Sequence, residues 1–397
     1  MSRKKTAVFL ICLLCLTLTG CWNRREMNEL AIASAIGLDR KDNKYVITVQ
    51  IINSGAETRK GGWGGGGSGA PPFTTYQATG DTVFETLRKL TSQTPRKIYL
   101  SHIRIVVLSE ALAKHGVTES LDLMARDHEF RSDFYLMIAK ENKVEDVLNV
   151  ISDIENIPAI KMFSALRASE KVWGSTKTVT INDFLSGIES STKGNVMVGV
   201  VMKNHKSVGR SSATTPSEQL QYDGLAVFKK DKLVGWMNEE ESIGYNFTQG
   251  DIKSTIINVP CKQNKLAIEV SRTQTQMKVK VKKGKPQAQI HLFIEGNIGE
   301  VNCSIDISKN EAINKLQMEV EKKVKQMIER SLKKSQHKLH SDIFGIGRAL
   351  YRSAPKEWEQ LKATWDDDFP NVPVEITVDA RLRAAGALSK SFMQSSK

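Results

Sequence analysis

The sequence has few of the residues that build metal centres or catalytic constellations. It contains five cysteines and seven histidines in 397 residues, and no pair of histidines stands four positions apart as two ligands on one helix face. It also lacks the G-x-S-x-G elbow of serine hydrolases and the H-E-x-x-H zinc helix. The sequence therefore predicts that the protein is not an enzyme and needs no cofactor.

Apolar runs long enough to cross a bilayer are also missing. The longest, residues 7–19, has 13 residues, whereas a spanning helix needs about 20. A later run over residues 196–202 is shorter still and is typical of a buried strand. The chain is 40% hydrophobic and 25% charged, which is ordinary for a globular protein. We therefore expect a folded body that does not cross a membrane.

The amino-terminal segment has the layout of an export signal. A cluster of three basic residues at positions 3–5 precedes the uncharged run, which ends in Leu-Thr-Gly before Cys21. Small residues before the cut fit a peptidase cleft, and the thiol can take a thioether-linked diacylglycerol. We predict that residues 1–20 are a signal peptide and that Cys21 carries S-diacylglycerol and an N-acyl chain. An unmodified cysteine after an ordinary signal is the alternative.

Removal of the signal would leave only two cysteines besides the lipid site. Cys12 and Cys15 would depart with the signal, so Cys261 and Cys303 remain in the body of the protein. An oxidising exterior would allow these two to pair. Two separate buried thiols are the alternative, and the sequence leaves both open.

The positive charge of the chain is concentrated in one region. The formal net charge is +13, and residues 261–338 hold 17 Lys and Arg against eight Asp and Glu. Export argues against nucleic acid as a partner. A basic region near a membrane can bind anionic headgroups, at about 1 kcal/mol per cation. A solvated helix face explains the charge equally well.

Hydrophobic periodicity divides the mature chain into two parts. Residues 21–204 alternate between strands and helices, which predicts a mixed α/β domain. A flexible loop over residues 55–72 interrupts it, and seven glycines occur within residues 60–72. Residues 205–219 are polar and are interpreted as a linker. Residues 220–397 predict an antiparallel sheet and a long helix over 308–338, opened by a capping box. This C-terminal part could itself divide into two.

Two acidic clusters are weak candidates for chemistry. Asp127, His128 and Glu129 suggest a general base, but adjacent side chains on a helix or turn point apart. The run of three aspartates at residues 366–368 could bind a hard cation, but its spacing does not match a calcium-binding loop. Exposed acidic turns are the simpler interpretation of both.

The segment that follows the lipid site resembles a known family. It runs Cys-Trp-Asn-Arg-Arg-Glu-Met-Asn-Glu-Leu-Ala-Ile from Cys21 and continues into Ala-Ile-Gly-Leu-Asp at residues 35–39. This resembles the Ger(x)C spore germination lipoproteins, the C subunits of nutrient germinant receptors. Asn23 replaces the Asp that is common in that family. Looser resemblance runs through the mature length, including residues 98–110 and the hairpin from Asp223.

The resemblance implies a multi-domain, mixed α/β, non-enzymatic subunit. It would assemble with membrane-embedded A and B receptor subunits at the outer face of the inner spore membrane. Among site residues only Cys21 carries over from the family. The residues beside the lipid, Trp22, Arg24 and Arg25, suit contact with the headgroup zone of the bilayer, although Trp22 could instead pack on the folded domain.

A solute-binding lipoprotein of a transport system is the main alternative. Proteins of that class have two similar α/β lobes with a cleft between them. The periodicity of residues 220–397 favours an antiparallel sheet with a long helix instead, so the receptor subunit remains the leading hypothesis.

Overall fold

The computed structural model describes residues 26–53, 71–151, 155–190, 192–205, 217–261, 263–303 and 305–383. The predicted signal peptide and Cys21 lie outside the described residues, as does the glycine-rich loop apart from its last two residues. Within the described ranges the chain forms two sheets with helices packed against them. The mixed α/β fold class expected from the sequence is confirmed.

A nine-stranded sheet forms the first part of the molecule. Its strand order is β3-β2-β1-β5-β6-β7-β8-β9, with β4 paired to β1. Strands β1, β5, β6 and β7 run parallel, and the two outer pairs of strands are antiparallel to their neighbours. The strands are β1 (Leu30–Lys41), β2 (Lys44–Ile52), β3 (Phe73–Gly80), β4 (Lys97–Tyr99), β5 (Ile105–Ser109), β6 (Tyr135–Ala139), β7 (Asn195–His205), β8 (Ser217–Lys229) and β9 (Lys232–Met237).

Helices cover both faces of this sheet, and that explains the apolar character of its central strands. Every residue of β5 is buried, as expected for a parallel strand that is covered on both faces. Side-chain caps begin several of the helices; Thr180, for example, forms a capping box with Asp183. The helices are α1 (Val83–Leu90), α2 (Glu110–His115), α3 (Thr118–Arg126), α4 (Val144–Asn149), α5 (Pro158–Val172) and α6 (Ile181–Glu189).

The predicted hairpin of β8 and β9 is present, but it pairs with the first sheet and not with the C-terminal sheet in which we expected it. Strand β8 pairs with β7 along its length, from Asn195 opposite Phe228 to His205 opposite Ser217. Both flanks of the expected linker, residues 205 and 217–219, are therefore in strands. The sheet to which this hairpin belongs could not be predicted, because pairing between distant strands depends on the shared apolar core. Local polarity does not indicate that pairing.

A second, four-stranded sheet follows in the order β10-β11-β12-β13. The first three strands are antiparallel, as expected, but the last strand runs parallel to β12. Strand β10 pairs only with residues 264–270 of β11, so the remainder of β11 is bordered by helices on that side. The strands are β10 (Thr255–Cys261), β11 (Asn264–Lys282), β12 (Lys285–Val301) and β13 (Val374–Arg383).

Five helices accompany the second sheet. They are α7 (Glu239–Gln249), α8 (Asn310–Lys334), α9 (Ile346–Ser353), α10 (Pro355–Leu361) and α11 (Trp365–Asp368). The predicted helix over residues 308–338 is confirmed as α8 with a following π turn at Ser335–Leu339. The predicted capping box is wrong, because the Ser308 hydroxyl donates to Asp306 and leaves the helix without a side-chain cap.

Helix α7, which the sequence analysis missed, holds the basic helix α8 in place. Glu240 accepts from Lys323 at 2.7 Å and from Arg330 at 2.8 Å, and Glu241 accepts from Lys334 at 2.6 Å. The hydrogen bond from Lys323 lowers the pKa of Glu240 below its ordinary value. Part of the positive charge of α8 is therefore neutralised within the protein.

One apolar core joins the two sheets. A contiguous set of buried side chains extends from Val107 on the first sheet through Ile243 on α7 to Ile290 and Val324 in the C-terminal part. Moving a leucine-sized side chain from such a core into water costs about 1.5–3 kcal/mol of free energy. The two parts therefore pack against each other through a shared interior.

The sulfurs of Cys261 and Cys303 are joined by a disulfide across 42 residues of chain. Cys261 ends β10 and Cys303 follows β12, so the bond links two strands that flank β11. Both side chains are buried. The bond would limit the freedom of the unfolded hairpin.

We predict that the disulfide forms in the exported protein and that Cys303→Ala lowers the free energy of unfolding by about 4 kcal/mol through the loss of loop closure. Urea unfolding with and without reductant checks the magnitude, and reductant should destabilise the unsubstituted chain equally. If both thiols of the unfolded, unreduced protein react with an alkylating agent, the prediction is wrong.

Candidate functional site

The carboxylate of Asp342 organises the junction between the two parts of the protein. Its Oδ1 accepts from the backbone N–H of Gly345 at 2.8 Å and of Ile346 at 3.0 Å, and its Oδ2 accepts from Gly347 at 2.7 Å. The indole of Trp365 donates to Oδ2 at 3.2 Å. Burial raises the pKa of Asp342, and these hydrogen bonds oppose the rise. The buried carboxylate therefore accepts hydrogen bonds from the backbone N–H groups at the start of α9, in place of solvent.

Backbone contacts beside Asp342 attach this turn to the first sheet. The Asp342 carbonyl accepts from Gly194 at 2.8 Å, and the Ser341 hydroxyl donates to the Phe228 carbonyl at 2.7 Å. A Cβ on Gly194 would lie 2.3 Å from the Ser341 hydroxyl oxygen, so only glycine permits the approach. Helix α9 is thereby fixed against the start of β7.

An open groove of about 940 Å³ lies between α9 and strand β11 at this junction. Its floor is apolar and includes Met277, Val281 and Phe344. The Ser353 hydroxyl donates to the Val279 carbonyl at 3.0 Å and holds the end of α9 against the strand. The groove is a product of the fold, because its walls come from four separate segments of the chain.

The groove is strongly basic. Six cationic side chains line it against a single carboxylate, Glu357. Among the described residues none of the six forms an ion pair. Lys193 is held by Gln249 and lies 5.9 Å from the Tyr245 ring centroid. The cations are Lys193, Lys278, Lys280, Lys282, Arg348 and Arg352.

Sequence analysis located half of these cations and missed the rest. Lys278, Lys280 and Lys282 belong to the basic region, and their spacing of two in a strand places them on one face. Lys193, Arg348 and Arg352 stand elsewhere in the sequence; the spacing of four places Arg348 and Arg352 on one helix face, but no local pattern links them to Lys193 or to β11. Only the packing of α9 beside β7 and β11 brings the two sets together.

The four residues predicted at the membrane, Cys21, Trp22, Arg24 and Arg25, lie outside the described residues. The two acidic clusters have structural roles. Asp127 accepts from the Glu129 backbone N–H at 2.9 Å, and Glu129 pairs with Lys97. Asp366 lies 3.2 Å from Lys229. Asp127 and Glu129 line a cavity of only about 30 Å³ together with Lys97.

The ranges that the structure covers contain neither a metal-type cluster nor a membrane-spanning helix. There, no group of three or more His, Cys, Asp or Glu side chains could hold a metal ion. None of the helices in those ranges combines the length and the apolar character that crossing a membrane requires.

Comparison with known proteins gives matches over nearly the whole chain. The profile of the spore germination protein N-terminal domain matches residues 23–202, and that of the spore germination B3/GerAC-like C-terminal domain matches residues 223–386. The chain is 33% identical over 397 residues to spore germination protein KC of Bacillus subtilis (strain 168), covering 97% of each. It is 22% identical over 393 residues to spore germination protein GerQC of Bacillus cereus, covering 96% of this chain and 99% of the relative.

The fold also matches a solved structure. The crystal structure of the GerBC protein aligns with a TM-score of 0.57 at 19% identity, covering 87% of this chain and 96% of that one. At this identity the match concerns the fold alone. A parallel-centred sheet followed by an antiparallel sheet with a long helix thus defines a class of two-part mixed α/β proteins. Within that class, the chain belongs to the GerAC-like spore germination family.

We predict that Asp342→Ala lowers the free energy of unfolding of the mature chain by about 3 kcal/mol or more, because it strands buried donors. Asp342→Asn should cost roughly half as much, since its carbonyl can still accept from Gly345 and Ile346 while its amide faces the other two donors. Chemical denaturation of the three proteins tests the order. Equal stability of Asp342→Ala and the unsubstituted protein would contradict the role given to this carboxylate.

Proposed function

We propose that this chain is the lipid-anchored accessory subunit of a spore nutrient germinant receptor, required for the assembly or the signalling that triggers germination. The observation that carries the proposal is the 33% identity, over 97% of both chains, to a spore germination protein. Its partners would be the membrane-embedded A and B receptor subunits and the lipid bilayer. The role is one of binding and assembly, without catalysis.

The amino-terminal sequence supports the anchoring part of this proposal. Cys21 directly follows a predicted signal that has the layout of a lipoprotein precursor. It stands nine residues before β1, which begins at Leu30. Two or more acyl chains hold a protein firmly at a bilayer. The body would then lie on the extracytoplasmic side, which in spores is the outer face of the inner membrane. Trp22, Arg24 and Arg25 would be positioned in the headgroup zone.

The fold gives less support to a solute-binding lipoprotein. That function needs two similar lobes that close on a small ligand. Here the first part is a nine-stranded sheet with a parallel centre and the second is a four-stranded sheet with a 25-residue helix. A continuous apolar core joins the two parts, and such a core opposes hinge motion between them.

We predict that deletion of the gene abolishes the germination response to at least one nutrient. Complementation with Cys21→Ala should fail to restore the response, because the exported chain would lose its acyl chains. Cys12→Ala is the matched control, since it replaces a cysteine within the signal, and it should restore germination fully. Germination of purified spores with a panel of nutrients, together with fatty-acid labelling of each variant, provides the measurement.

Normal responses to every nutrient, in a strain that also lacks related receptors, would overturn the receptor function. Acyl labelling of Cys21→Ala equal to that of the unsubstituted chain would overturn the anchor alone. The two parts of the proposal can therefore fail separately.

A further inference from the structure

Two sets of basic residues in the C-terminal part differ in whether carboxylates pair with them. On α8, Lys323, Arg330 and Lys334 are paired with the carboxylates of α7. On β11 the three lysines of the groove face solvent, with no carboxylate paired to them among the described residues. Like charges gathered without counter-ions repel one another, and a bound anion relieves the repulsion. The groove is therefore the surface of this protein best suited to an anionic ligand.

The groove also lies on the side of the molecule from which the amino-terminal tether emerges. Strands β1, β5, β6 and β7 are parallel and adjacent, so their first residues share one edge of the sheet. Through β5 and β6, Gly37 of β1 is level with Val198 of β7. Leu30 begins β1 seven residues before Gly37, and Lys193 stands five residues before Val198. Leu30 and Lys193 therefore lie at nearly the same position along the direction of the strands.

The lateral separation between the tether and the groove is small. Three strand spacings between β1 and β7 amount to about 14 Å. Met27–Glu29 form a 3-10 turn before β1, and the six residues from Cys21 to Met27 can extend about 20 Å at most. A body tethered at Cys21 can therefore bring Lys193, and the groove wall beside it, to the headgroup layer.

The composition of the groove fits a lipid headgroup and the start of its acyl chains. Arg348 and Arg352 offer guanidinium donors with the geometry for phosphate oxygens. The floor made by Met277, Val281 and Phe344 is apolar.

We propose that the groove between β11 and α9 binds anionic phospholipid headgroups and orients the body of the protein on the membrane. This inference rests on the proposed lipid anchor for its geometry. The attraction between cations and an anionic surface decays over the Debye length, which shortens as the salt concentration rises. Binding through the groove should therefore weaken as salt increases. The anchor supplies attachment, and the groove supplies orientation.

The test uses the mature chain, residues 21–397, with Cys21→Ser so that no acyl chain contributes. Co-sedimentation with vesicles compares pure phosphatidylcholine with phosphatidylcholine that contains phosphatidylglycerol. We expect binding to the anionic vesicles only, with loss at high salt. Lys278→Gln, Lys280→Gln and Lys282→Gln together should reduce the partition coefficient by about tenfold or more.

The matched control removes the same charge from the exposed face of α8, with Lys322→Gln, Lys325→Gln and Lys333→Gln. These three lysines are exposed and line none of the groove. The control should bind the anionic vesicles within about twofold of the unsubstituted chain. Circular dichroism of both triple variants confirms that they are folded.

Equal losses in the two triple variants would overturn the proposal, because they would indicate only a net-charge effect. Equal binding to neutral and anionic vesicles would also overturn it. If the β11 variant binds vesicles normally but no longer co-purifies with other membrane proteins, the groove is a docking site for a protein instead. None of these results depends on whether Cys21 is acylated in the cell, so the groove and the anchor are tested separately.

Discussion

The buried carboxylate of Asp342 is the contact on which the arrangement of the two parts depends. A helix begins with backbone N–H groups that have no partner within the helix, and the first turn of α9 is buried at the junction. Asp342 accepts from three of these groups and from the indole of Trp365. Its own carbonyl accepts from Gly194 beside the first sheet. One residue thus joins a helix start, an aromatic cluster and the edge of the larger sheet.

The position of α9 in turn determines the electrostatics of the surface. Arg348 and Arg352 lie on this helix, and they line the groove together with Lys278, Lys280 and Lys282 of β11. A second set of basic residues, on α8, is neutralised by Glu240 and Glu241 of α7. The sequence shows a single basic region, but in the fold part of it forms ion pairs with α7 and part of it lines an open basic groove. The groove also gathers Lys193, Arg348 and Arg352, which lie outside that region of the sequence.

Much of the fold could be predicted from the sequence because it depends on local periodicity. The alternating strands of the C-terminal sheet, the helix α8 and the final strand β13 each show a clear pattern over ten residues or more. Helix α7 was missed because Ser242 to Thr248 are all buried, and a helix enclosed on every side lacks an apolar stripe. Its capping box at Asn238 was the available signal. The assignment of β8 and the assembly of the groove depend on long-range pairing, which no local pattern shows.

On the proposed function, the chain is a membrane-tethered subunit that works beside membrane-embedded receptor proteins. The most direct test is purification of an affinity-tagged chain, expressed from its own promoter, from detergent-solubilised spore membranes. Mass spectrometry of the eluate should find two multi-spanning proteins, the A and B receptor subunits, in amounts comparable to the tagged chain. Elution of the chain alone, or together with the permease and ATPase of a solute transporter, would contradict the account.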